Sequence, residues 1–345
     1  MFRPPDPPRQ EGSKLDLDLK MRDVYVARKA TAGLASRTPL IEAPVLKERT
    51  GASVHLKLEN LQRTGSFKIR GAASKLSSLT HDERRRGVIA VSSGNHGRAV
   101  AYVARELGVR AVICMSTRVP LNKVEAVRVL GADLELHGES YDAAECYALR
   151  LQAERGLTMI SPFDDPRVIA GQGTIGLEIL EDLPRVTTVV VPLSGGGLMA
   201  GVALVLKSAD PSIRTVGVSM DRAPVMFHSL RAGHPIQMEE QETLADALVG
   251  GIGLDNQYTF RMIQKVVDET LLVTEEEIAT AMAFALNHQH LVVEGGGVVA
   301  LAALLQRKLT GLGEQVVVVV SGGNVGIPRL LEIARKGAPP VLGRH

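Results

Sequence analysis

Valine-rich runs that recur between helical stretches constrain the fold of this chain more than any other feature. The clearest runs lie in TTVVVPLS (187–194) and QVVVVVSGG (315–323). They are apolar at successive positions, as in the strands of a parallel sheet that is buried on both faces. Further strand-like segments lie at 54–59, 87–93, 110–116, 132–138 and 214–220. Helical patterns, the longest over 275–309, separate the strands, so the sequence predicts an α/β fold of repeated βα units.

The composition argues against several classes of protein. The chain has 345 residues and a formal net charge of +2, and lacks the dense basic patch of a nucleic-acid-binding protein. No apolar run reaches the roughly 18 residues of a membrane span. The two cysteines, Cys114 and Cys146, form no CxxC pair, which favours a reducing, cytoplasmic location. Four prolines among the first eight residues predict a flexible tail over residues 1–20.

Three glycine-rich segments follow predicted strands: SSGNHG (92–97), SGGGLMAG (194–201) and SGGN (321–324). Ligands of α/β proteins bind at the carboxyl ends of the strands, so we expect these segments to form one site. SGGGLMAG also opens a predicted helix, where backbone N–H groups and the helix dipole favour an anion such as phosphate. Glycines placed only for tight helix–strand packing remain the alternative for this segment.

The SSGNHG segment and the serine of SGGN offer polar side chains at the same predicted edge. Ser93 can give or take a proton, Asn95 can donate to a ring oxygen, and the loop N–H groups can hold a carboxylate. An ordinary helix cap is the alternative for this loop, and His96 is better suited to structural hydrogen bonding than to base catalysis. Ser321 ends a strand, where its hydroxyl can meet a ring nitrogen or simply serve a turn.

Lys68 lies in TGSFKIRGA (64–72), between Phe67 and Ile69 and near the start of a helix predicted from Ser66 to about Leu79. A long lysine side chain can extend from a buried helix to solvent. Alternatively, an apolar environment favours the neutral amine, which is the nucleophilic form. The residues around Lys68 alone do not decide between these two interpretations.

Together these segments resemble one family. TGSFKIRGA, SSGNHG, IAGQGTIGLEI (169–179), SGGGLMAG and SGGN occur in the order and approximate spacing of the fold-type-II pyridoxal-phosphate enzymes. They are most similar to the serine/threonine dehydratase (threonine ammonia-lyase) and serine racemase branch. The resemblance implies two open, mostly parallel twisted sheets covered by helices, as in the β-subunit of tryptophan synthase. It also implies a large domain of residues 21–86 plus 165–345 and a small domain of residues 87–164.

The resemblance also implies roles for individual residues. Lys68 would hold pyridoxal 5′-phosphate as a Schiff base and would remove the α-proton of the substrate. Ser93 would be a second acid or base on the opposite face of the ring. The cofactor-binding residues would be Phe67, Lys68, Asn95, Ser194, Gly195, Gly196, Gly197, Leu198 and Ser321. The loop for the substrate carboxylate would consist of Ser92, Ser93, Gly94, Asn95 and His96.

The expected activity is elimination of the β-hydroxyl of a hydroxy amino acid, which yields a 2-oxo acid and ammonia. A hydroxyl at Ser321 cannot hold the pyridine nitrogen firmly protonated, which suits β-elimination better than transamination. Three segments, GNHGRAVAY, VPLNKVEAVR and VVEGGG, look most like dehydratases associated with hydroxyectoine use. The alternatives are a serine-type racemase, a cofactor-binding protein without catalysis, and a nucleotide-binding oxidoreductase, although GxGxxG is missing. Family members are usually homodimers, so we expect a homodimer or a higher homo-oligomer.

Two departures from the family pattern affect the substrate and metal predictions. Arg98 stands where many of these dehydratases have Gln, and it would either bind a second anionic group of the substrate or pair with a carboxylate such as Glu106. Ser219 and Val225 stand where serine racemases have acidic metal ligands. We therefore expect no divalent-metal site.

Overall fold

The computed structural model describes residues 19–336, and the predicted tail at 1–20 lies outside this range apart from Leu19 and Lys20. The strands of the described chain are β1 (Leu40–Glu42), β2 (Ser53–Leu58), β3 (Val88–Val91), β4 (Ala111–Met115), β5 (Asp133–Leu136), β6 (Thr158–Met159), β7 (Thr188–Pro192), β8 (Arg214–Met220), β9 (Glu269–Val273) and β10 (Gln315–Val320).

The helices are numbered separately from the strands, also in chain order. They are α1 (Met21–Thr31), α2 (Pro44–Thr50), α3 (Lys68–Ser77), α4 (His81–Arg86), α5 (Asn95–Glu106), α6 (Leu121–Arg128), α7 (Tyr141–Arg155), α8 (Pro166–Asp182), α9 (Gly197–Ala209), α10 (Val225–Ala232), α11 (Thr259–Val266), α12 (Glu275–Gln289), α13 (Gly295–Leu305) and α14 (Ile327–Lys336). Among the described residues, no helix is both long and apolar enough to cross a bilayer.

The strands form two sheets, one of six strands in the order β1-β2-β10-β7-β8-β9 and one of four strands in the order β5-β4-β3-β6. All neighbouring strands are parallel except β1, which pairs antiparallel with β2. The predicted α/β fold with two mostly parallel sheets is confirmed. All strands of the smaller sheet come from residues 88–159, and the domain boundaries given above stay a prediction.

The valine run of β10 is buried on both faces of the larger sheet. Val316, Val318 and Val320 pack into a core with α12 and α13, whereas Val317 and Val319 pack into a second core with α8 and α9. Successive side chains of a strand point to opposite faces, so a central strand covered by helices on both sides needs apolar residues at every position.

The predicted helical region at 275–309 is two helices, which is a correction to the sequence analysis. His290 adopts a left-handed conformation with φ of 55° and ends α12. Glu294 then occupies the N-cap position of α13 without a side-chain capping bond, and the helix begins with three glycines. A Cβ on Gly297 would lie 2.3 Å from the carbonyl oxygen of Gly322, so this helix approaches the loop after β10 more closely than a side chain permits.

Helix α8 lies between α3 and α9 and contacts both at glycines. A Cβ on Gly171 would lie 2.5 Å from the carbonyl oxygen of Arg70 in α3, and one on Gly201 of α9 would lie 2.4 Å from that of Ile169 in α8. The glycines of KIRGA, IAGQG and GLMAG therefore serve close helix packing. This packing holds the first turns of α3 and α9 in fixed positions.

A buried group of four charges fixes α3 against β2 and α8. Arg70 donates to Glu59 through Nε and Nη2, both at 2.8 Å, and to Glu178 through Nη1 at 2.7 Å. The Nζ of Lys57 lies 2.6 Å from Oε2 of Glu178. Burial opposes ionisation of Glu59, but the guanidinium of Arg70 holds the pKa of that carboxyl below its ordinary value. Removal of one partner would leave an uncompensated buried charge.

We expect Arg70→Met to lower the free energy of unfolding by about 3–5 kcal/mol, the usual cost of breaking a buried ion pair. The matched control is Arg110→Met, because Arg110 forms an exposed ion pair with Asp133. Such a surface pair contributes about 0–1 kcal/mol. Urea denaturation of the two variants measures the difference, and equal losses would contradict the structural role of Arg70.

Candidate functional site

Lys68 is the first residue of α3, and backbone hydrogen bonds hold it beside the end of β10. The N–H of Phe67 donates to the carbonyl oxygen of Ser321 at 3.0 Å, and the N–H of Gly323 donates to that of Gly65 at 2.9 Å. These bonds join two segments that are more than 250 residues apart in the chain. The first turn of α3, which carries Lys68, therefore lies beside the loop that carries Ser321.

The amine of Lys68 lies in a largely apolar setting. Its Nζ donates to the carbonyl oxygen of Pro162 at 2.8 Å and lies 5.2 Å from the centroid of the Phe67 ring. Burial lowers its pKa to about 8, because the charged ammonium is poorly solvated there. A substantial fraction of the amine is therefore neutral near pH 7–8, and the neutral amine is the form that acts as a nucleophile or base.

The segment 160–165 joins Lys68 to other parts of the site. Nε2 of His96 lies 2.8 Å from the carbonyl oxygen of Ile160. Burial and the nearby charge of Lys68 lower the pKa of His96 to about 3, so the ring is neutral and Nε2 donates its proton to Ile160. His96 is thus a structural hydrogen-bond donor rather than a base.

Two aspartates of the same segment cap helices. Asp165 accepts from the backbone N–H groups of Arg167 at 2.7 Å and Val168 at 3.1 Å and so begins α8. Asp164 accepts from the N–H of Thr259 at 2.8 Å at the start of α11. Because both caps lie next to Pro162, the carbonyl that binds the Lys68 amine is held in a well-anchored turn.

The glycine-rich loop at 194–198 forms a cradle at the start of α9. Gly196 has φ of +89°, which favours glycine, and the first N–H groups of the helix have no acceptor within it. A Cβ on Gly195 would lie 2.3 Å from the ring of Phe163, and one on Gly197 would lie 2.9 Å from the backbone of Phe163. Packing against Phe163 therefore explains two glycines, while the free N–H groups suit an anion.

The two ends of this loop have additional partners within the protein. The hydroxyl of Ser194 donates to the carbonyl oxygen of Leu248 at 2.8 Å. Leu198 is only 5% exposed, and its side chain packs in the core with α8 and α9. Only their backbone groups are therefore suited to bind a phosphate.

The SSGNHG loop links β3 to α5. The hydroxyl of Ser92 accepts from the N–H of Gly94 at 3.2 Å, which fixes the turn, and Ser93 is partly buried. Asn95 is the first residue of α5. The hydroxyl of Ser321 is buried but makes only a long hydrogen bond, 3.4 Å, to the carbonyl oxygen of Gly296. It can therefore form a shorter hydrogen bond with a ligand.

Glu294 was not predicted as a site residue and Asn324 had no predicted role, although they lie in the motifs VVEGGG and SGGN. Nδ2 of Asn95 donates to Oε1 of Glu294 at 2.5 Å, and Nδ2 of Asn324 donates to Oδ1 of Asn95 at 2.6 Å. Burial raises the pKa of Glu294 to about 7, and the hydrogen bond from Asn95 partly opposes this rise. A buried carboxyl therefore contacts the predicted ring-binding amide.

Arg98 does not form the ion pair with Glu106 that was one of its two expected roles. Glu106 instead contacts Arg105 at 3.3 Å. Nη1 of Arg98 donates to Oδ1 of Asn324 at 2.8 Å, so the guanidinium joins the hydrogen bonds around Asn95. The sequence around a helix residue carries no signal for such a partner on a distant loop.

The residues of the site fit pyridoxal phosphate. The cradle at Gly195–Gly197 excludes side chains and offers N–H groups to a phosphate, and the amine of Lys68 lies close to it through Pro162. Within residues 19–336, the buried hydroxyl of Ser66 has no hydrogen-bond partner, so this region retains polar groups for a ligand. A hydroxyl at Ser321 completes the set of donors and acceptors.

Comparison with known proteins agrees with this assignment. Residues 32–322 match the sequence model of the family described as "Pyridoxal-phosphate dependent enzyme". The chain is 49% identical over 308 residues to a putative threonine dehydratase of Sinorhizobium fredii, covering 89% of this chain and 93% of the relative. It is 44% identical to an L-threonine ammonia-lyase of Thermotoga maritima, covering 92% and 79%. The fold is similar to that of maize serine racemase, with a TM-score of 0.86, 33% identity and coverage of 92% and 97%.

These matches extend over most of the chain, and residues 32–322 include the segments TGSFKIRGA, SSGNHG, IAGQGTIGLEI and SGGGLMAG. The expected family and cofactor are therefore confirmed. The chain belongs to the pyridoxal-phosphate dependent enzymes of fold type II, in their serine/threonine dehydratase group, and pyridoxal 5′-phosphate is its cofactor.

Proposed function

We propose that this enzyme eliminates the β-hydroxyl of a serine- or threonine-like amino acid and releases a 2-oxo acid and ammonia. The observation that carries the proposal is the partly buried amine of Lys68, whose pKa is lowered to about 8, beside the anion cradle of α9. The names of the relatives, a threonine dehydratase and a threonine ammonia-lyase, support the same activity. The family membership gives no support to the alternative of a nucleotide-binding oxidoreductase.

When bound, pyridoxal phosphate withdraws electrons from the α-carbon of an attached amino acid. The N–H groups of Gly195–Leu198 would bind its phosphate, and the amide of Asn95 and the hydroxyl of Ser321 would bind its ring. Lys68 would hold the cofactor, and its amine would take the α-proton at Nζ. The carbonyl of Pro162 orients that amine, because it accepts a hydrogen bond from Nζ at 2.8 Å.

The loop at 92–96 binds the substrate carboxylate through its backbone N–H groups. His96 stays neutral and holds the loop to Ile160 through Nε2. Loss of the α-proton and of the β-hydroxyl, which leaves as water, gives an enamine that hydrolyses to the 2-oxo acid and ammonia. The hydroxyl of Ser321 would bind the ring nitrogen without protonating it firmly, which would favour elimination over transamination.

Ammonia and 2-oxo-acid release from L-serine, L-threonine, 3-hydroxyaspartate and hydroxyectoine-derived amino acids tests this function. We expect turnover of at least one β-hydroxy amino acid, and the motifs GNHGRAVAY and VVEGGG support inclusion of the hydroxyectoine-derived compounds. A protein that binds pyridoxal phosphate but releases ammonia from none of them would contradict the proposal.

Lys68→Ala should reduce ammonia release by at least about a hundredfold, because a positioned acid or base contributes about 10²–10⁴ to the rate. It should also remove the visible absorbance of the bound cofactor. The control is Lys47→Ala, since Lys47 is an exposed lysine in α2. Normal turnover by the Lys68 variant would be incompatible with its proposed role.

Gly195→Ala should weaken pyridoxal-phosphate binding by about tenfold or more, because the new methyl would lie 2.3 Å from the Phe163 ring. Over-packing of this kind costs about 1–3 kcal/mol. Fluorescence titration of the cofactor-free protein measures the change. Gly326→Ala is the matched control, since a Cβ there meets nothing within 4 Å. The double variant Gly195→Ala/Phe163→Ala should recover part of the affinity, and a lack of effect of Gly195→Ala would argue against the cradle.

Racemisation is the second candidate function, and the similarity to maize serine racemase at a TM-score of 0.86 supports it. Ser93 is partly buried in the SSGNHG loop, where a racemase needs a second acid or base. If the enzyme racemises, Ser93→Ala should abolish D-isomer formation and spare 2-oxo-acid release, as measured by chiral chromatography and an ammonia assay. Equal loss of both products would contradict a separate proton-transfer role for Ser93.

We further propose that the enzyme is cytoplasmic and assembles as a homodimer or a higher homo-oligomer. The isolated, unpaired cysteines Cys114 and Cys146 support the first proposal. Only the usual oligomeric state of family members supports the homo-oligomer. The mass of the purified protein in solution tests it.

A further inference from the structure

Four side chains form a continuous chain of hydrogen bonds beside the site. Nη1 of Arg98 donates to Oδ1 of Asn324 at 2.8 Å. Nδ2 of Asn324 donates to Oδ1 of Asn95 at 2.6 Å, and Nδ2 of Asn95 donates to Oε1 of Glu294 at 2.5 Å. The donors all point the same way, from Arg98 toward Glu294.

The direction of this chain is fixed at its Arg98 end. A guanidinium has five N–H donors and no acceptor, so only the oxygen of the Asn324 amide can face it. The carbonyl oxygen of Thr64 accepts from Nδ2 of Asn324 at 2.8 Å, and a carbonyl can only accept. A reversed Asn324 amide would therefore oppose N–H to N–H and oxygen to oxygen. Asn95 must in turn present its oxygen to Asn324 and its NH₂ group to Glu294.

We infer that Arg98 is a positioning residue, which fixes the Asn95 amide as a hydrogen-bond donor toward the ring oxygen of pyridoxal phosphate. The inference rests on the proposed placement of the cofactor against Asn95. One N–H of the Asn95 amide is used by Glu294, and the other is left for the cofactor. Gln at position 98 has both a donor and an acceptor, so it would not oppose a reversed Asn324 amide, and the carbonyl of Thr64 alone would then hold the direction of the hydrogen bonds.

Glu294 makes the hydrogen bonds among these four side chains sensitive to pH. Its Oε2 accepts from the backbone N–H of Asn324 at 3.1 Å. Burial raises the pKa of Glu294 to about 7, the hydrogen bond from Asn95 lowers it, and the charge of Asp246 raises it. The positive charge of Arg98 favours the carboxylate and therefore lowers the pKa of Glu294.

The same contacts give Arg98 a role that does not depend on substrate binding. Arg98 is half-buried on α5, and its Nη1 is already committed to Asn324. Its charge therefore acts on Asn95 and Glu294, and a second anionic group on the substrate is not required.

The test is a pH titration of the visible absorbance of the substrate-free, pyridoxal-phosphate-loaded enzyme. Arg98→Met should move the spectral transition to higher pH, because loss of a positive charge raises the pKa of Glu294. It should also weaken pyridoxal-phosphate binding and lower kcat by about tenfold, the order of effect of one charge-assisted hydrogen bond. Arg98→Lys keeps a cation that can only donate, so it should restore most of the cofactor affinity and of kcat. Glu294→Gln should remove the spectral transition.

Arg105→Met is the matched control, because Arg105 lies on the same helix and makes an exposed ion pair with Glu106. It should leave the spectrum, the cofactor affinity and kcat unchanged. If Arg98→Met leaves all three unchanged and raises only KM for a dicarboxylic substrate, the inference is overturned. A wild-type protein that takes up no pyridoxal phosphate would instead overturn the proposed function.

Asn324→Asp tests the same chain if Arg98→Met does not fold. The isosteric carboxylate still accepts from Arg98 but cannot donate to Asn95, so the Asn95 amide should reverse and lose its donor role. We expect the same weakened cofactor binding and an altered spectrum in this variant. An Asn324→Asp enzyme with wild-type spectrum and affinity would also overturn the inference.

Discussion

The close packing of α8 between α3 and α9 is the constraint on which the rest of the site depends. Glycines at 71, 171 and 201 let the three helices approach at distances that a Cβ would prevent. This packing fixes the first turn of α3, which carries Lys68, relative to the first turn of α9, which forms the anion cradle. The turn at 160–165 then connects them, since Pro162 binds the Lys68 amine and Phe163 packs on the cradle.

Much of the fold could be predicted from the sequence because its strongest signals have simple physical causes. The run at Val316–Val320 predicted a doubly covered strand, and the structure divides its side chains between two cores. The short strand β6 and the edge strands β1 and β9 were not predicted. They have few residues or mixed polarity, and β-pairing at an edge depends on neighbours that are distant in the sequence. The break at His290 was also missed, because a left-handed conformation of a non-glycine residue has little local signal.

The site could be predicted as far as its backbone motifs, and less well where it depends on distant side chains. The backbone bonds of Phe67 and Gly323 join the segment before Lys68 to the loop that carries Ser321. Glu294 could have been proposed from the charged residue that precedes three glycines, but its contact with Asn95 spans 199 residues. Arg98 was identified as unusual for the family, yet its partner Asn324 depends on tertiary structure. Burial then sets the pKa of Lys68 and of Glu294, and composition alone does not reveal burial.

The central claim is that Lys68 carries the cofactor. Borohydride reduction of the pyridoxal-phosphate-loaded enzyme, followed by proteolysis and mass spectrometry, tests it most directly. The account predicts that the phosphopyridoxyl group is found on the peptide that contains Lys68 and on no other lysine. Modification of a different residue, such as Lys75 in the same helix, or an unmodified Lys68 in protein that retains the cofactor, would contradict it.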